Sequence, residues 1–82
     1  MNRNEERVRE IILKEIGTIS EDQIIPEASF TNHLGYDSVD MMSMVMDLEK
    51  EFGIEISDGD AEWFEKVQDV YDYINANVNE KD

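Results

Sequence analysis

Residues 37–53 read DSVDMMSMVMDLEKEFG, and this stretch has the start, the periodicity and the end of one amphipathic helix, called helix 2 below. Asp37 is a residue type that caps helix N-termini, and Gly53 is the type that most often follows a helix end. At about 100° per residue, one group of apolar side chains falls within an arc of about 100°. That group is Met41, Met44, Val45, Leu48 and Phe52. We therefore predict a helix over 38–52 that packs this face against a hydrophobic core.

Helix 2 has a second apolar arc, formed by Val39, Met42 and Met46. This arc is either further core, buried beneath a long loop, or an exposed face that binds partner proteins. Methionine side chains adapt to surfaces of different shape, which favours a partner-binding face. Carboxylates flank the arc, and the predicted face consists of Asp37, Val39, Asp40, Met42, Met46, Asp47 and Glu49.

Apolar positions at helical spacing predict further helices on both sides of helix 2. They extend over Arg3–Ile16, Asp58–Phe64 and Val67–Val78. A long loop over Thr18–Asp37 joins the first helix to helix 2. No segment shows a sustained alternation of apolar and polar residues, so no sheet is predicted. The predicted fold is an all-α bundle of three main helices plus a short third helix.

The helix ends and one large aromatic residue allow more local predictions. We expect Asn2 or Asn4 to cap the first helix, and Gly17 to follow its end as the C′ residue. A short helical turn is expected around Glu21–Ile24. Trp63 either packs over the core or is an exposed contact, and we predict packing, the commoner outcome for so large a side chain.

The composition indicates one folded domain over residues 1–82, with a frayed tail at 79–82. Hydrophobic residues make up 40% of the chain and sit in periodic positions, which argues against disorder. The chain has no cysteine, no apolar run near the roughly 20 residues of a membrane span, and a polar N-terminus unlike a signal peptide. We therefore expect a cytoplasmic monomer.

The chain is strongly acidic, with 21 acidic and 7 basic residues and a formal net charge of -14. Such a surface repels nucleic acid and anionic lipid, and it attracts partners with basic patches. It also repels itself, so we expect salt and divalent cations to stabilise the fold. The spacing of Asp58, Asp60 and Glu62 does not match a calcium-binding loop, so we predict no dedicated metal site.

Ser38 follows the predicted cap Asp37 and admits more than one role. The pair is a plain helix start in one interpretation, because both residue types favour that position. Catalysis by Ser38 would need a base and an oxyanion hole. The chain has one histidine, His33, in the predicted loop, and no Gly-x-Ser-x-Gly motif. We therefore predict a protein that is not an enzyme and has no catalytic residue.

Several segments together resemble one family. Residues 34–40 (LGYDSVD) resemble the phosphopantetheine attachment motif of the acyl carrier protein family. Further segments similar to that family are residues 6–8 (ERV), 11–12 (II), 28–30 (ASF), 48–56 (LEKEFGIEI), 67–70 (VQDV) and 73–74 (YI). The resemblance therefore extends over nearly the whole chain.

The resemblance implies a discrete carrier in which Ser38 is esterified by 4′-phosphopantetheine from coenzyme A. The thiol of this arm would carry acyl groups as thioesters, and a helix N-terminus suits the phosphodiester. The acidic helix 2 would dock on basic patches of phosphopantetheinyl transferase and of acyl-loading, ketosynthase-type and acyltransferase enzymes. Acyl chains would be sheltered between the helices, in a pocket lined by Met44, Leu48, Phe30 and Phe64.

The resemblance leaves the pathway open. Fatty acid, polyketide or specialised lipid synthesis is the leading interpretation. An aminoacyl or peptidyl carrier is the alternative among carriers, although residues 35–38 (GYDS) lack the paired glycines that are more common there. An acidic helical interaction module that is never modified is the alternative from a different class.

Overall fold

The helices of the computed structural model, which describes residues 2–17 and 19–79, follow the predicted order. They are α1 (Arg3–Glu15), α2 (Ser38–Phe52), α3 (Asp58–Ala61) and α4 (Val67–Asn77). A 3₁₀ turn over Glu21–Gln23 occupies the loop between α1 and α2, where a helical turn is predicted. The described residues form no strand beyond an isolated bridge between Ser29 and Lys66, and the all-α class is confirmed. Thr18 and residues 80–82 of the predicted tail lie outside the described residues.

One hydrophobic core draws on the helices and on the long loop. Val8, Ile11 and Ile12 of α1 are buried, and α1 packs against both α2 and α4. Ile24 and Phe30 of the loop are also fully buried. Because burial of such side chains removes apolar surface from water, the loop is held against the core despite its lack of regular structure. No helix in the described part of the chain combines the length and the apolar character needed to cross a membrane.

Hydrogen bonds define both ends of α1. The Asn2 side chain accepts a first-turn N–H at 2.8 Å, so Asn2 is the cap. Asn4 is instead buried, and its amide donates to the carbonyl of Val78 at 3.1 Å. Val78 itself is extended, so α4 ends one residue earlier than predicted. The last residue of α1 is Glu15, one before the predicted Ile16, because the backbone of Ile16 is extended, and Gly17 follows at the predicted C′ position.

The short helix α3 ends at Ala61, not at the predicted Phe64. The cause is a long-range contact, because Lys66 pairs with Ser29 in the isolated bridge. This pairing requires extended backbone, and Lys66 has φ −121° and ψ 160°. The chain therefore has to leave the helical conformation before it reaches the bridge.

Trp63 is 79% exposed, so the prediction that it packs over the core is wrong. The next residue, Phe64, takes the core position and is 6% exposed. Its ring packs edge-on against Tyr73, with 5.4 Å between the ring centroids. The two adjacent aromatic residues thus divide between the core and the surface.

Candidate functional site

Ser38 is the first residue of α2 and is exposed. Asp37 caps the helix, because its Oδ1 accepts the backbone N–H of Asp40 at 2.8 Å. In return, Oδ2 of Asp40 accepts the backbone N–H of Asp37 at 3.0 Å. The N–H of Asp40 also lowers the pKa of the Asp37 carboxyl, so this cap is ionised at neutral pH. Ser38 therefore sits inside a closed capping box at a fixed helix start.

The turn before α2 is anchored by Tyr36. Its hydroxyl donates to the carbonyl of Ile12 in α1 at 3.0 Å, and its N–H donates to the carbonyl of Phe30 at 2.8 Å. The centroids of the Tyr36 and Phe30 rings lie 5.2 Å apart. Gly35 precedes it with a φ of 73°, a conformation that glycine adopts without a Cβ clash. These contacts fix where the chain enters α2, and hence where Ser38 lies.

The second apolar arc of α2 lies on the surface. Val39, Met42 and Met46 are 67%, 66% and 54% exposed, so the interpretation of this arc as core is wrong. The core is instead contacted by the first arc, in which Met44 and Leu48 are fully buried. The exposed arc is therefore available for binding, which is the property that a partner-binding face needs.

The carboxylates of the predicted partner-binding face differ in their surroundings. Asp37 is exposed, whereas Asp40, Asp47 and Glu49 are half-buried. Oε2 of Glu49 accepts the N–H of Ile56 at 2.8 Å, which joins α2 to the segment before α3. Glu49 is thus part of the internal structure as well as of the predicted face.

A carboxyl pair between α1 and α2 was not apparent from the sequence. The side chain of Glu15 hydrogen-bonds to that of Asp47, and this bond is the largest cause that raises the pKa of Glu15 to about 7. Partial burial and the charges of Asp47 and Asp40 act in the same direction, and Lys14 opposes them. Burial, then the nearby carboxylates, raises the pKa of the Tyr36 hydroxyl. Glu15 therefore changes charge near neutral pH, next to the anchor of the α2 turn.

An open groove of about 390 Å³ lies between α2 and α3, beside the exposed arc. Its apolar walls come from both helices and from the segment between them: Met41, Met42, Val45, Met46, Ile56 and Ala61. Of the predicted acyl-pocket residues, Phe30 and Phe64 line a neighbouring cavity of about 310 Å³, which shares Met41 with the groove. Met44 and Leu48 line neither of these two cavities. The acyl pocket therefore stays a prediction. The contribution of α3 to the groove, through Ala61, was not predicted, because only the packing of α3 beside α2 brings this residue there.

His33 has a structural role within the loop. Its Nδ1 accepts the backbone N–H of Ser29 at 2.8 Å, which leaves that nitrogen engaged. Residues 2–17 and 19–79 contain no group of three or more histidine, cysteine or carboxylate side chains placed to hold a metal ion. What the start of α2 offers is an exposed hydroxyl at a helix N-terminus, next to an apolar, acidic face.

Known proteins share both this sequence pattern and this fold. Residues 6–74 match the family described as "Phosphopantetheine attachment site". Over 71 residues the chain is 45% identical to the acyl carrier protein of Nitratidesulfovibrio vulgaris, in strains DP4 and Hildenborough, with 87% of this chain and 92% of the relative covered. The chain belongs to the acyl carrier protein family. This confirms the resemblance seen in the sequence and, with it, the 4′-phosphopantetheine cofactor.

A solved structure extends the match to three dimensions. The structure is described as an acyl carrier protein from Mycobacterium tuberculosis, and it superposes with a TM-score of 0.82 at 30% identity. The match covers 89% of this chain and 96% of that one. Proteins of this family are carriers and not enzymes, which confirms the predicted absence of catalytic function. As a carrier, the protein works together with the enzymes that modify it and with synthase enzymes.

Proposed function

We propose that Ser38 bears the 4′-phosphopantetheine arm and that the arm's thiol carries acyl groups as thioesters. The observation that supports this most is the exposed position of Ser38 at the first residue of α2, within the matched region. The exposed or half-buried loop serines differ from it, because their hydroxyls take part in hydrogen bonds: those of Ser29 and Ser57 accept backbone N–H groups at 3.1 Å, and that of Ser20 donates to the Gln23 side chain at 3.5 Å. Among the described residues, no hydrogen bond engages the Ser38 hydroxyl.

The surroundings of Ser38 suit a phosphodiester. The first backbone N–H groups of a helix have no partner within the helix, and they attract anionic groups together with the helix dipole. Asp37 and Asp40 bond to each other's backbone N–H groups, so they hold the helix start in shape. When bound, the arm supplies the thiol on which acyl groups are carried. The chain itself has no cysteine, so no thiol of its own competes for them.

The exposed face of α2 is proposed as the docking surface for the enzymes that act on the arm. Val39, Met42 and Met46 offer apolar contact next to Ser38, and Asp37, Asp40, Asp47 and Glu49 surround them with negative charge. A net charge of -14 speeds the encounter with basic patches on phosphopantetheinyl transferase and on acyl-loading, ketosynthase-type and acyltransferase enzymes. This face is proposed to guide partners, and its Met42 and Met46 also line the groove between α2 and α3.

The groove between α2 and α3 is the proposed entry to an acyl shelter. Met41 and Val45, which are half-buried, and Ile56, which is buried, give this groove an apolar lining. Met44 and Leu48 are fully buried, so an acyl chain would contact them only after α2 and its neighbours move apart. We propose that short chains use the groove and that longer ones require this opening.

Fatty acid, polyketide or specialised lipid synthesis in the cytoplasm is the proposed setting. The test uses the chain with its arm attached, a malonyl-transferring acyltransferase of bacterial fatty acid synthesis, and malonyl-coenzyme A. We expect a further mass gain of one malonyl group, which hydroxylamine removes while the arm stays attached. If the arm-bearing chain accepts no malonyl group but is aminoacylated by an adenylating enzyme, the aminoacyl alternative is correct and this proposal is wrong.

A further inference from the structure

A second surface of the molecule is shaped for binding, on the opposite side of α3 from the groove described above. It is a shallow groove of about 410 Å³ between the end of α3 and α4, and we call it the Trp63 groove. The residues that define it are Asp60, Trp63, Phe64, Asp69, Asp72 and Tyr73. It shares no lining residue with the groove between α2 and α3, although α3 borders both.

The Trp63 groove is held in shape by contacts of its own. The Tyr73 hydroxyl donates to Oδ2 of Asp60 at 2.9 Å, which joins α4 to α3. Phe64 packs edge-on against Tyr73 and forms an aromatic floor. Trp63 stands beside this floor at 79% exposure, the largest value among the exposed large hydrophobic residues. The unusual feature of this surface is that a side chain as large as an indole is exposed next to a groove whose walls are fixed by these contacts.

The charges in the groove select what it can bind. Asp60, Asp69 and Asp72 line it, and no lysine or arginine does. Each carboxylate is engaged through one oxygen: Asp60 by Tyr73, Asp69 by the N–H groups of the two residues before α4, and Asp72 by the Gln68 amide at 2.8 Å. A carboxylate has about four acceptor positions, so each retains capacity for a donor.

We propose that the Trp63 groove is a second docking surface, and that it binds an arginine side chain on a protein partner. A guanidinium stacks on an aromatic face and can bond to a carboxylate at the same time, whereas an ammonium does this less well. The fold already uses such a contact internally, since the guanidinium of Arg7 lies 4.4 Å above the Phe52 ring.

Charge excludes the other occupants. A second copy of this chain brings a net charge of -14 to an acidic groove, and nucleic acid and anionic membranes have the same sign. A purely apolar segment would remove three carboxylates from water and offer no donor to their remaining acceptor positions. A protein that docks on α2 and also presents an arginine here would contact both sides of α3, which would make its binding more selective.

The test uses the whole chain and two peptides, acetyl-Arg-Leu-Arg-amide and acetyl-Lys-Leu-Lys-amide. Because Trp63 is the only tryptophan, its fluorescence reports binding at this groove directly. We expect a saturable fluorescence change with the arginine peptide and roughly two- to five-fold weaker binding of the lysine peptide. Amide NMR shifts caused by the arginine peptide should centre on residues 60–63 and 69–73.

Two variants with the same change in net charge separate a site from general attraction. Asp72→Asn removes charge inside the groove, and Asp22→Asn removes it at an exposed position in the 3₁₀ turn. We expect Asp72→Asn to weaken binding of the arginine peptide roughly two- to five-fold and Asp22→Asn to leave it unchanged. Equal effects of the two variants, equal binding of the two peptides, or shifts centred on α2 would each overturn the proposal.

Discussion

Asp37 and Asp40 cap each other's backbone across Ser38, with N–H to carboxylate distances of 2.8 and 3.0 Å. This reciprocal pair stands at the point where the long loop becomes α2. It gives the exposed serine a fixed place at a helix N-terminus, which is where an attached phosphodiester finds free N–H groups. The position of Ser38 is thus a consequence of helix capping, and several measurements follow from it.

Replacement of the cap should weaken the fold through α2. Asp37→Ala removes the acceptor for the Asp40 N–H, and we expect the melting temperature to fall by about 5 °C. Asp37→Asn keeps an acceptor of similar capping strength and is the control, with a much smaller fall expected. Thermal unfolding followed by circular dichroism measures both. Equal falls would show that the charge of Asp37, and not its hydrogen bond, stabilises the helix start.

The hydroxyl of Tyr36 should contribute more to stability than an exposed tyrosine hydroxyl does. Tyr36→Phe leaves the Ile12 carbonyl without its 3.0 Å donor in a buried place, and we expect a loss of about 1–2 kcal/mol in the free energy of unfolding. Tyr73→Phe removes a bond to Asp60 in an exposed setting, and it should cost about 0.5 kcal/mol or less. Urea unfolding at neutral pH gives both values. If the order is reversed, the Tyr36 hydroxyl does not anchor the α2 turn.

The raised pKa of Glu15 makes stability depend on pH. The folded state holds this proton more tightly than the unfolded state does, because its pKa is about 7 when folded and the ordinary value is 4.5. The contribution of Glu15 to stability therefore falls as the pH rises from about 4.5 to about 7, and the cost is complete above that range. Asp47 and Asp40 face Glu15 from α2, and Lys14 precedes it in α1.

Glu15→Gln removes this titration while it keeps a side chain able to bond to Asp47. We expect the variant to exceed the unmodified chain in stability by about 1 kcal/mol at pH 8, a value reduced for the partial exposure of Glu15, and to match it near pH 4.5. Urea unfolding at the two pH values makes the comparison. A difference that is the same at both would mean that Glu15 does not titrate in this range.

Exposed and buried residues of α2 should affect different properties, partner binding in one case and stability in the other. Met46→Glu alters an exposed residue of the proposed docking face, so we expect about ten-fold weaker binding to phosphopantetheinyl transferase with a change of about 0.5 kcal/mol or less in the free energy of unfolding. Met44→Ala, in the same helix but fully buried, should instead cost about 2–5 kcal/mol. Calorimetric titration and urea unfolding measure the two effects. If Met46→Glu unfolds the protein, the exposed arc is core after all.

Local signals were enough to predict α2. Asp37 and Gly53 mark its two ends through side-chain and backbone preferences that act within a few residues, so the predicted bounds of 38–52 match the structure. The predicted start of α3 at Asp58 also matches, and there the Ser57 hydroxyl caps the first turn. These elements could be predicted because the interactions that decide them are close together in sequence.

Long-range contacts decided what the sequence could not predict. The bridge between Ser29 and Lys66 shortens α3, and neither residue type has a conformational preference that would predict this pairing. The exposure of Trp63 depends on which of two adjacent aromatic residues takes the core position, a matter of packing between α3 and α4. For the same reason the α3 wall of the groove beside α2 and the pairing of Glu15 with Asp47 appear only in the folded chain.

The most direct test of the account is the intact mass of the chain after incubation with coenzyme A and a broad-specificity phosphopantetheinyl transferase. We predict a gain of one phosphopantetheinyl group, no gain in Ser38→Ala, and a full gain in Ser43→Ala, which makes the same change further along the same helix. Absence of the gain in the unmodified chain, or a gain that persists in Ser38→Ala, would contradict the claim that Ser38 is the attachment site.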